Sequence, residues 1–214
     1  MNPKRLYFDI NVASLQEGFN HWPHSPHYKA LNLIRANTNV LDVGCAKGYM
    51  AEELNKLGCQ VTGIEKDHQA ALLARKHCQQ VIEQDIENLE SLPLEQGYFD
   101  YIICLDVLEH LSRPDVLLTV LRKYLSSEGE LIVSIPNIAR FEHRLALLFG
   151  NFNYSEYGAI SKGHLRFFTR KTSSELLEGS GFIIKKIEPT GLGSIIRIFT
   201  NLTAFQFILV AKKQ

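Results

Sequence analysis

The sequence has no excess of charge of either sign: Lys and Arg number 23, as do Asp and Glu, and the formal net charge is zero. That balance argues against the broad electrostatic grip that nucleic acid or an anionic membrane needs, though not against a local basic patch. No apolar run reaches the ~18 residues of a membrane span. The first residues, MNPKRLYFDINVAS, hold no long apolar stretch of the signal-peptide kind. No CxxC pair occurs among Cys45, Cys59, Cys78 and Cys104, and each falls in or beside an expected core element. They read as buried free thiols of a reducing cytosol, not as a disulfide framework, so a cytoplasmic location is expected. Repeats and low-complexity tracts are also missing, and nothing marks a second domain.

What is present is ordinary globular material. The chain has 214 residues, 45% hydrophobic and 21% charged, enough for one domain with a full core. Strands and helices alternate from Asn39 to Ile135. NVLDV, CQVTGIE, QVIEQDI, FDYIICLD and ELIVSIP are short apolar runs of the type that forms strands buried on both faces. Between them lie amphipathic stretches, one with Met50, Leu54 and Leu57 on a stripe and ending at Gly58, another capped by Asp67. This rhythm predicts a parallel α/β sheet with right-handed crossovers and helices on both faces. Beyond it, Asn137 is expected to cap a helix carrying Phe141, Leu145 and Leu148, and NFNYSEYGAISKGH reads as a lid. Thr169 starts a last helix, and FIIKKIE and AFQFILVAKK close the sheet. The expected division is an N-terminal cover (1–38), a cofactor-binding core (39–135), a substrate lid (136–168) and closing elements (169–214).

One segment narrows the function. Val40 to Leu54, VLDVGCAKGYMAEEL, is a strand, a terminal acid, a glycine turn and a helix. Its glycines, Gly44 and Gly48, are spaced G-x-x-x-G. Ala46 and Tyr49 break the dinucleotide pattern, and the residue after Gly48 is not the Lys of a phosphate loop. A ligand without phosphates needs close backbone approach more than a cradle of N–H groups, and glycine permits it. Glu65 closes the second strand about 20 residues after Gly44, where an acid holds ribose hydroxyls and repels a 2′-phosphate. Asp85 closes the third strand and can accept from an exocyclic adenine amine. Asp42, Glu65 and Asp85 thus occupy three successive strand ends along one rim.

These residues resemble the class I S-adenosylmethionine-dependent methyltransferases, with VLDVGCAKG, GIE, EQDIENL, FDYIICLDVLEHL and GELIVSIPN as the successive motifs. The resemblance implies a Rossmann-like, doubly wound, seven-stranded sheet, mostly parallel, with the last strand antiparallel. It implies S-adenosylmethionine as cofactor, S-adenosylhomocysteine as its product, and a binding set of Asp42, Gly44, Cys45, Ala46, Gly48, Glu65, Lys66, Asp85, Ile86, Leu105 and Asp106. Within that set, Gly44, Cys45 and Gly48 line the methionine end and Glu65 holds ribose. Asp85 and the Ile86 backbone hold adenine, and Leu105 and Asp106 lie near the ammonium and sulfonium.

The chemistry concentrates in Asp106-Val107-Leu108-Glu109-His110. Asp106 and Glu109 read as an N-terminal helix box, with Asp106 as cap. His110 then stands as the candidate general base, its unperturbed pKa being near ~6.5. The alternative is a divalent cation on Asp106, Glu109 and His110, completed by His164. The Glu-His pair resembles the ubiquinone-pathway O-methyltransferases, and some members there and the small-RNA 3′-end methyltransferases use E-x-x-E-H as a metal site; here Asp106 replaces the first Glu. Asn137, His164 and Arg166 are candidate substrate residues. His21, His24 and His27 suggest zinc, but intervening prolines and the lack of a cysteine ligand favour a flap.

The reading taken is a methyltransferase acting on a small-molecule acceptor, at oxygen. No nucleic-acid partner is expected, and no Asp/Asn-Pro-Pro-Tyr/Phe motif follows the fourth strand, against amino methylation of adenine in DNA. The alternatives are a metal-dependent RNA 3′-end methyltransferase, a non-catalytic S-adenosylmethionine-binding regulatory module and a nicotinamide oxidoreductase.

Overall fold

Apolar residues alternate between two faces along every central strand, and both faces are covered. The computed structural model describes residues 19–214 except Asn88 and Arg197. Its strands are β1 (Asn39–Val43), β2 (Gln60–Glu65), β3 (Gln80–Glu83), β4 (Phe99–Leu105), β5 (Leu125–Pro136), β6 (Phe182–Pro189) and β7 (Gln206–Lys213). They form one seven-stranded sheet in the order β3-β2-β1-β4-β5-β7-β6. The first five pair in parallel, whereas β7 runs antiparallel to both β5 and β6. This is the doubly wound sheet with an antiparallel last strand that the family resemblance implies.

The helices are α1 (Pro26–Leu31), α2 (Tyr49–Lys56), α3 (His68–Ala74), α4 (Pro114–Leu121), α5 (Phe141–Leu148), α6 (Arg170–Gly179), α7 (Leu192–Ile196) and α8 (Thr200–Thr203). One core joins Leu41, Val43, Ile102, Cys104, Leu131 and Val133 to α4 and α6 through Leu117, Leu121 and Leu177. The other joins Val40, Val61, Tyr101, Ile103 and Ile132 to α1, α2 and α3 through Ala30, Leu54 and Ala74. Burial on both faces is why these strands read as near-continuous apolar runs. All four cysteines are free and buried, as expected.

Local signals act where the sequence places them. Asp67 caps α3 by accepting from Ala70 N–H at 2.7 Å. Thr169 caps α6 in a reciprocal box with Thr172. Three expectations are corrected. β3 ends at Glu83, so Asp85 lies two residues beyond the strand in a loop. Leu57 is 36% exposed and not part of the core, because α2 stops at Lys56 and Gly58 turns the chain in a left-handed conformation. Asn137 caps no helix: α5 starts four residues later with Arg140 at its N-cap, and it buries none of its residues. The Asn137 amide instead donates to the carbonyls of Asn201 (3.0 Å) and Ala204 (3.1 Å) and accepts from Ala139 N–H. It ties the end of β5 to the segment that enters β7.

From β1 the chain steps outward to β2 and β3 and then crosses back, so that β4 pairs with β1 on its other side and the strand order reverses there. Open α/β sheets bind ligands in the crevice outside such a reversal, at the carboxyl ends of the strands.

Candidate functional site

Two loops meet in that crevice, and glycine lets them. A side chain at Gly44, after β1, would come within 2.9 Å of Val107 Cγ2, after β4. Gly48 opens α2 at φ +83°, where a Cβ would lie 2.9 Å from the backbone of Ala74. Ala46 is also left-handed, at φ 46°. The N–H groups of Gly44 and Cys45 both donate to the Ile64 carbonyl, which pins the turn to the end of β2. Gly63 has a part that sequence reading missed: a Cβ there would strike Cys45 Sγ at 2.5 Å, so the loop rests directly on bare β2 backbone. An isolated glycine inside a strand is the signal for such an approach.

Glu65 organises the same loop. Its Oε2 accepts from Ala46 N–H at 3.0 Å, and its Oε1 accepts from the N–H groups of Lys66 and Asp67, each at 2.8 Å. A carboxylate has about four lone-pair sites, so Glu65 keeps acceptor capacity toward the cleft while bracing the turn. Asp42 is buried beneath it, and its carboxyl is pushed up to about 7 by burial and then by the Glu65 charge. Cys45 is buried beside Cys78, and that contact followed by burial pushes its thiol up, so it packs as an inert small residue. Asp85 is exposed and accepts from Glu87 N–H at 3.0 Å, with Ile86 half-buried beside it. Lys66 is exposed.

Past β4 the structure departs from the capping expectation. Asp106 is left-handed, at φ 56°, and caps nothing. The turn Leu108–His110 is a short 3₁₀ segment with Val107 at its N-cap and no side-chain cap. Asp106 is held by β5 and β7: its N–H donates to Ser134 Oγ (2.8 Å), Ser134 Oγ donates to its Oδ1 (2.7 Å), and Gln206 Nε2 donates to the same oxygen (2.5 Å). A serine inside the apolar run ELIVSIP was a visible sign; Gln206, 100 residues away, carried none.

With Asp106 so committed, the group that converges is Glu109, His110 and His164, whose ligating atoms lie within 4.8 Å of one another. His110 Nδ1 is 2.9 Å from the Gly163 carbonyl, and His164 Nδ1 is 3.2 Å from that of Ala159. A carbonyl only accepts, so each Nδ1 carries the proton and each Nε2 presents a lone pair. The two rings meet edge to face, centroids 4.8 Å apart. Burial holds the His164 imidazole below its ordinary range. Glu109 is 1% exposed, and neither carboxylate oxygen has a hydrogen-bond partner among the described residues. Burial, followed by the Asp106 charge, holds this carboxyl well above the ordinary range. An orphaned buried carboxyl beside two imidazoles with backbone-fixed tautomers fits a divalent cation in donor type and in outer-shell hydrogen bonding.

Asp106, Glu109, His110 and His164 all line one cavity of about 650 Å³. α1 contributes Pro26 and His27 to its wall, α5 contributes His143 and Ala146, and residues 155–161 close over it. The other predicted residues lie elsewhere. Asn137 is fully buried and spent on the fold, and Arg166 donates both Nε and Nη2 to the Ser112 carbonyl on the surface. The three N-terminal histidines do not converge: His21 approaches Glu53 at 3.7 Å, His24 bonds Ser194 Oγ, and His27 alone faces the cavity. Residues 1–18 of the expected cover lie outside the described residues.

A glycine loop at the sheet's reversal point, an acid at the end of β2 and a cavity beginning at the end of β4 define a Rossmann-like domain with an open crevice at its strand ends. The sequence model described as a methyltransferase domain matches residues 17–186, and the chain belongs to that family. Its domain is that of an S-adenosylmethionine-dependent methyltransferase, as the motifs predict. A protein named ubiquinone biosynthesis O-methyltransferase from Xanthomonas oryzae pv. oryzae is 33% identical over 114 residues, 51% of this chain and 48% of that protein. One of the same name from Psychrobacter arcticus is 31% identical over 144 residues, 64% of this chain and 54% of that protein. The chain thus spans about half the length of the curated relatives it matches. Among solved structures, an S-adenosylmethionine-dependent methyltransferase from Mesorhizobium loti superposes with a TM-score of 0.63 at 17% identity, covering 88% of this chain and 98% of that one. One from Archaeoglobus fulgidus superposes at 0.65 and 19%, covering 86% and 90%. At those identities the structures speak for the fold.

Proposed function

We propose that the chain methylates a hydroxyl oxygen of a small, largely apolar molecule in the cytoplasm. The observation that carries this reading is the chamber that starts at Asp106 and holds His110 with Nε2 free. S-adenosylmethionine, when bound, supplies a methyl group already activated on a sulfonium. Asp42, Gly44, Cys45, Ala46 and Gly48 receive its methionine end, with Leu105 and Asp106 across the cleft. Glu65 takes the ribose, with Lys66 beside it, and Asp85 and the Ile86 backbone take the adenine. His110 Nε2 accepts the hydroxyl proton as the oxygen attacks in line, and His164 orients the acceptor. Positioning of this kind can lower a barrier by up to roughly 7–11 kcal/mol. Asn137 and Arg166 act on the acceptor only through the fold. The relatives named for ubiquinone biosynthesis support a phenolic or similar acceptor.

The orphaned carboxyl of Glu109 favours a second reading of the same centre. Glu109, His110 and His164 would hold a divalent cation, which lowers the pKa of an acceptor hydroxyl bound to it. His110 is then a ligand and not the base. Manganese titrated calorimetrically should bind the wild type and not Glu109→Gln. No binding to either, with turnover indifferent to a chelator, leaves His110 as the base.

The test of the main reading is transfer of labelled methyl from S-adenosylmethionine to a panel of hydroxylated aromatic acceptors, amines and RNA ends. Transfer to hydroxyls that falls at least tenfold in His110→Ala supports it. Transfer confined to amines or to RNA ends overturns the acceptor, and donor binding without any transfer makes the chain a regulatory module.

A further inference from the structure

Four histidines among the described residues line the chamber, and the chemistry above uses only two of them. His110 and His164 each give Nδ1–H to a backbone carbonyl. His143 comes from α5, which turns Glu142, His143 and Ala146 toward the chamber and leaves Phe141, Leu145 and Leu148 exposed. Its Nε2 is shut off from solvent and has no hydrogen-bond partner among the described residues. His27 comes from α1, faces the chamber, and makes no hydrogen bond or ion pair among the described residues. The support beneath His27 is fixed. Ser25 Oγ accepts from Tyr28 N–H (3.2 Å) and donates to the Asn20 carbonyl (3.1 Å), and Ala30 is fully buried in the core. Gly191 N–H donates to the His24 carbonyl at 2.9 Å, and Lys29 pairs with Glu188 at 3.3 Å. α1 is thereby braced against β6 and the turn that follows it.

Burial holds the His27 imidazole below its ordinary range, against the opposing pull of the Asp106 charge. A neutral imidazole offers one donor and one acceptor. Here the fold uses neither, although buried polar groups are ordinarily paired. Carrying no charge, the ring cannot offset the desolvation of a carboxylate or an ammonium brought against it. A hydroxyl, which also donates and accepts, matches it. The chamber has room for more than a ring: its volume is about 650 Å³, whereas about 150 Å³ holds benzene. An acceptor ring with a polar substituent therefore fits.

We infer that His27 selects the acceptor: its imidazole hydrogen-bonds a second hydroxyl, carried on a substituent of the ring and distinct from the hydroxyl that is methylated. The inference rests on the reading that the chamber takes a small hydroxylated molecule. Four phenols test it, bearing para to the hydroxyl an ethyl, a hydroxyethyl, an aminoethyl or a carboxymethyl group. Each is titrated calorimetrically into the whole chain saturated with S-adenosylhomocysteine, so that binding is read without turnover. The hydroxyethyl phenol should bind about tenfold tighter than the ethyl phenol, as one net hydrogen bond gives, and tighter than either charged compound. His27→Ala should erase that preference and leave the affinity for the ethyl phenol unchanged. His27→Gln, which keeps a donor and an acceptor, should restore part of it, and His143→Ala should retain it. Unchanged affinity for S-adenosylhomocysteine reports the intact fold in each variant. Equal binding of the ethyl and hydroxyethyl phenols overturns the inference, as does preference for a charged one or binding of none. A preference that survives His27→Ala overturns it too, and so does a His27→Ala that weakens both uncharged phenols alike. Binding of none, with labelled methyl still reaching hydroxyls of other acceptors, leaves the reading of the reaction standing. The expected preference without transfer to any hydroxyl defeats that reading and not this one.

Discussion

Glu65 shows how one side chain at a strand end can brace the turn of its neighbour. Its carboxylate accepts from three backbone N–H groups around the glycine turn. Glu65→Ala should therefore weaken S-adenosylmethionine binding by about 1–3 kcal/mol through lost charged hydrogen bonds, and lower the melting temperature of the unliganded chain as well. Calorimetric titration and a thermal melt read the two effects separately; unchanged affinity with lowered stability would leave Glu65 a structural brace alone. Asp42 bears on pH. Its carboxyl titrates near 7 in the folded chain because burial raises it from 3.8. The folded state then holds a proton that the unfolded state has lost between those two values. Stability falls as pH rises through that window, by up to about 4 kcal/mol at ~1.4 kcal/mol per unit. Asp42→Asn should flatten the decline, so that melting temperatures of variant and wild type diverge in the variant's favour from pH 5 to 8. Parallel curves would show that Asp42 does not carry this linkage.

At the scale of elements, what could be read from the sequence was what short-range chemistry decides. Asp67 and Thr169 sit where their caps fall, and the near-continuous apolar runs of β1, β4 and β5 mark a sheet covered on both faces. The G-x-x-x-G spacing and Glu65 are close enough in sequence to read together. Asp106-x-x-Glu109 misled because a cap pattern is local, whereas Asp106 is bound by Ser134 and Gln206 from strands formed far along the chain. Asn137 and the outward face of α5 were illegible for a related reason: periodicity shows that a helix has an apolar stripe, not which way the stripe points. The Ser134 contact predicts its own test. Ser134→Ala removes the acceptor of Asp106 N–H and one donor to its carboxylate, so left-handed Asp106 should relax. Methyl transfer should drop by about tenfold or more, at about 1–3 kcal/mol for the groups left unpaired, with a smaller change in melting temperature. Loss of stability with transfer intact would reduce Ser134 to packing.

On the scale of the molecule, the crevice at the carboxyl ends of the strands belongs to no single element. The turn after β1, Glu65 at the end of β2 and Asp106 after β4 border it, and Val107 closes against Gly44. A ligand that bridges these strand ends binds only the assembled sheet, so its binding energy becomes folding stability. At ligand about 100-fold above its dissociation constant the gain is about 2.7 kcal/mol. For a domain of this size that corresponds to a rise of roughly 5–10 °C in melting temperature, at about 2–4 °C per kcal/mol. S-adenosylmethionine and S-adenosylhomocysteine should both produce it, since the adenosyl and amino-acid parts they share fill the cleft. NADH should not, because the turn lacks the third glycine and the N–H cradle of a pyrophosphate site. Glu65→Ala should shrink the rise for both sulfur ligands together. A shift with NADH and none with either adenosyl compound would return the cleft to a dinucleotide, and with it the alternative that the glycine spacing argues against.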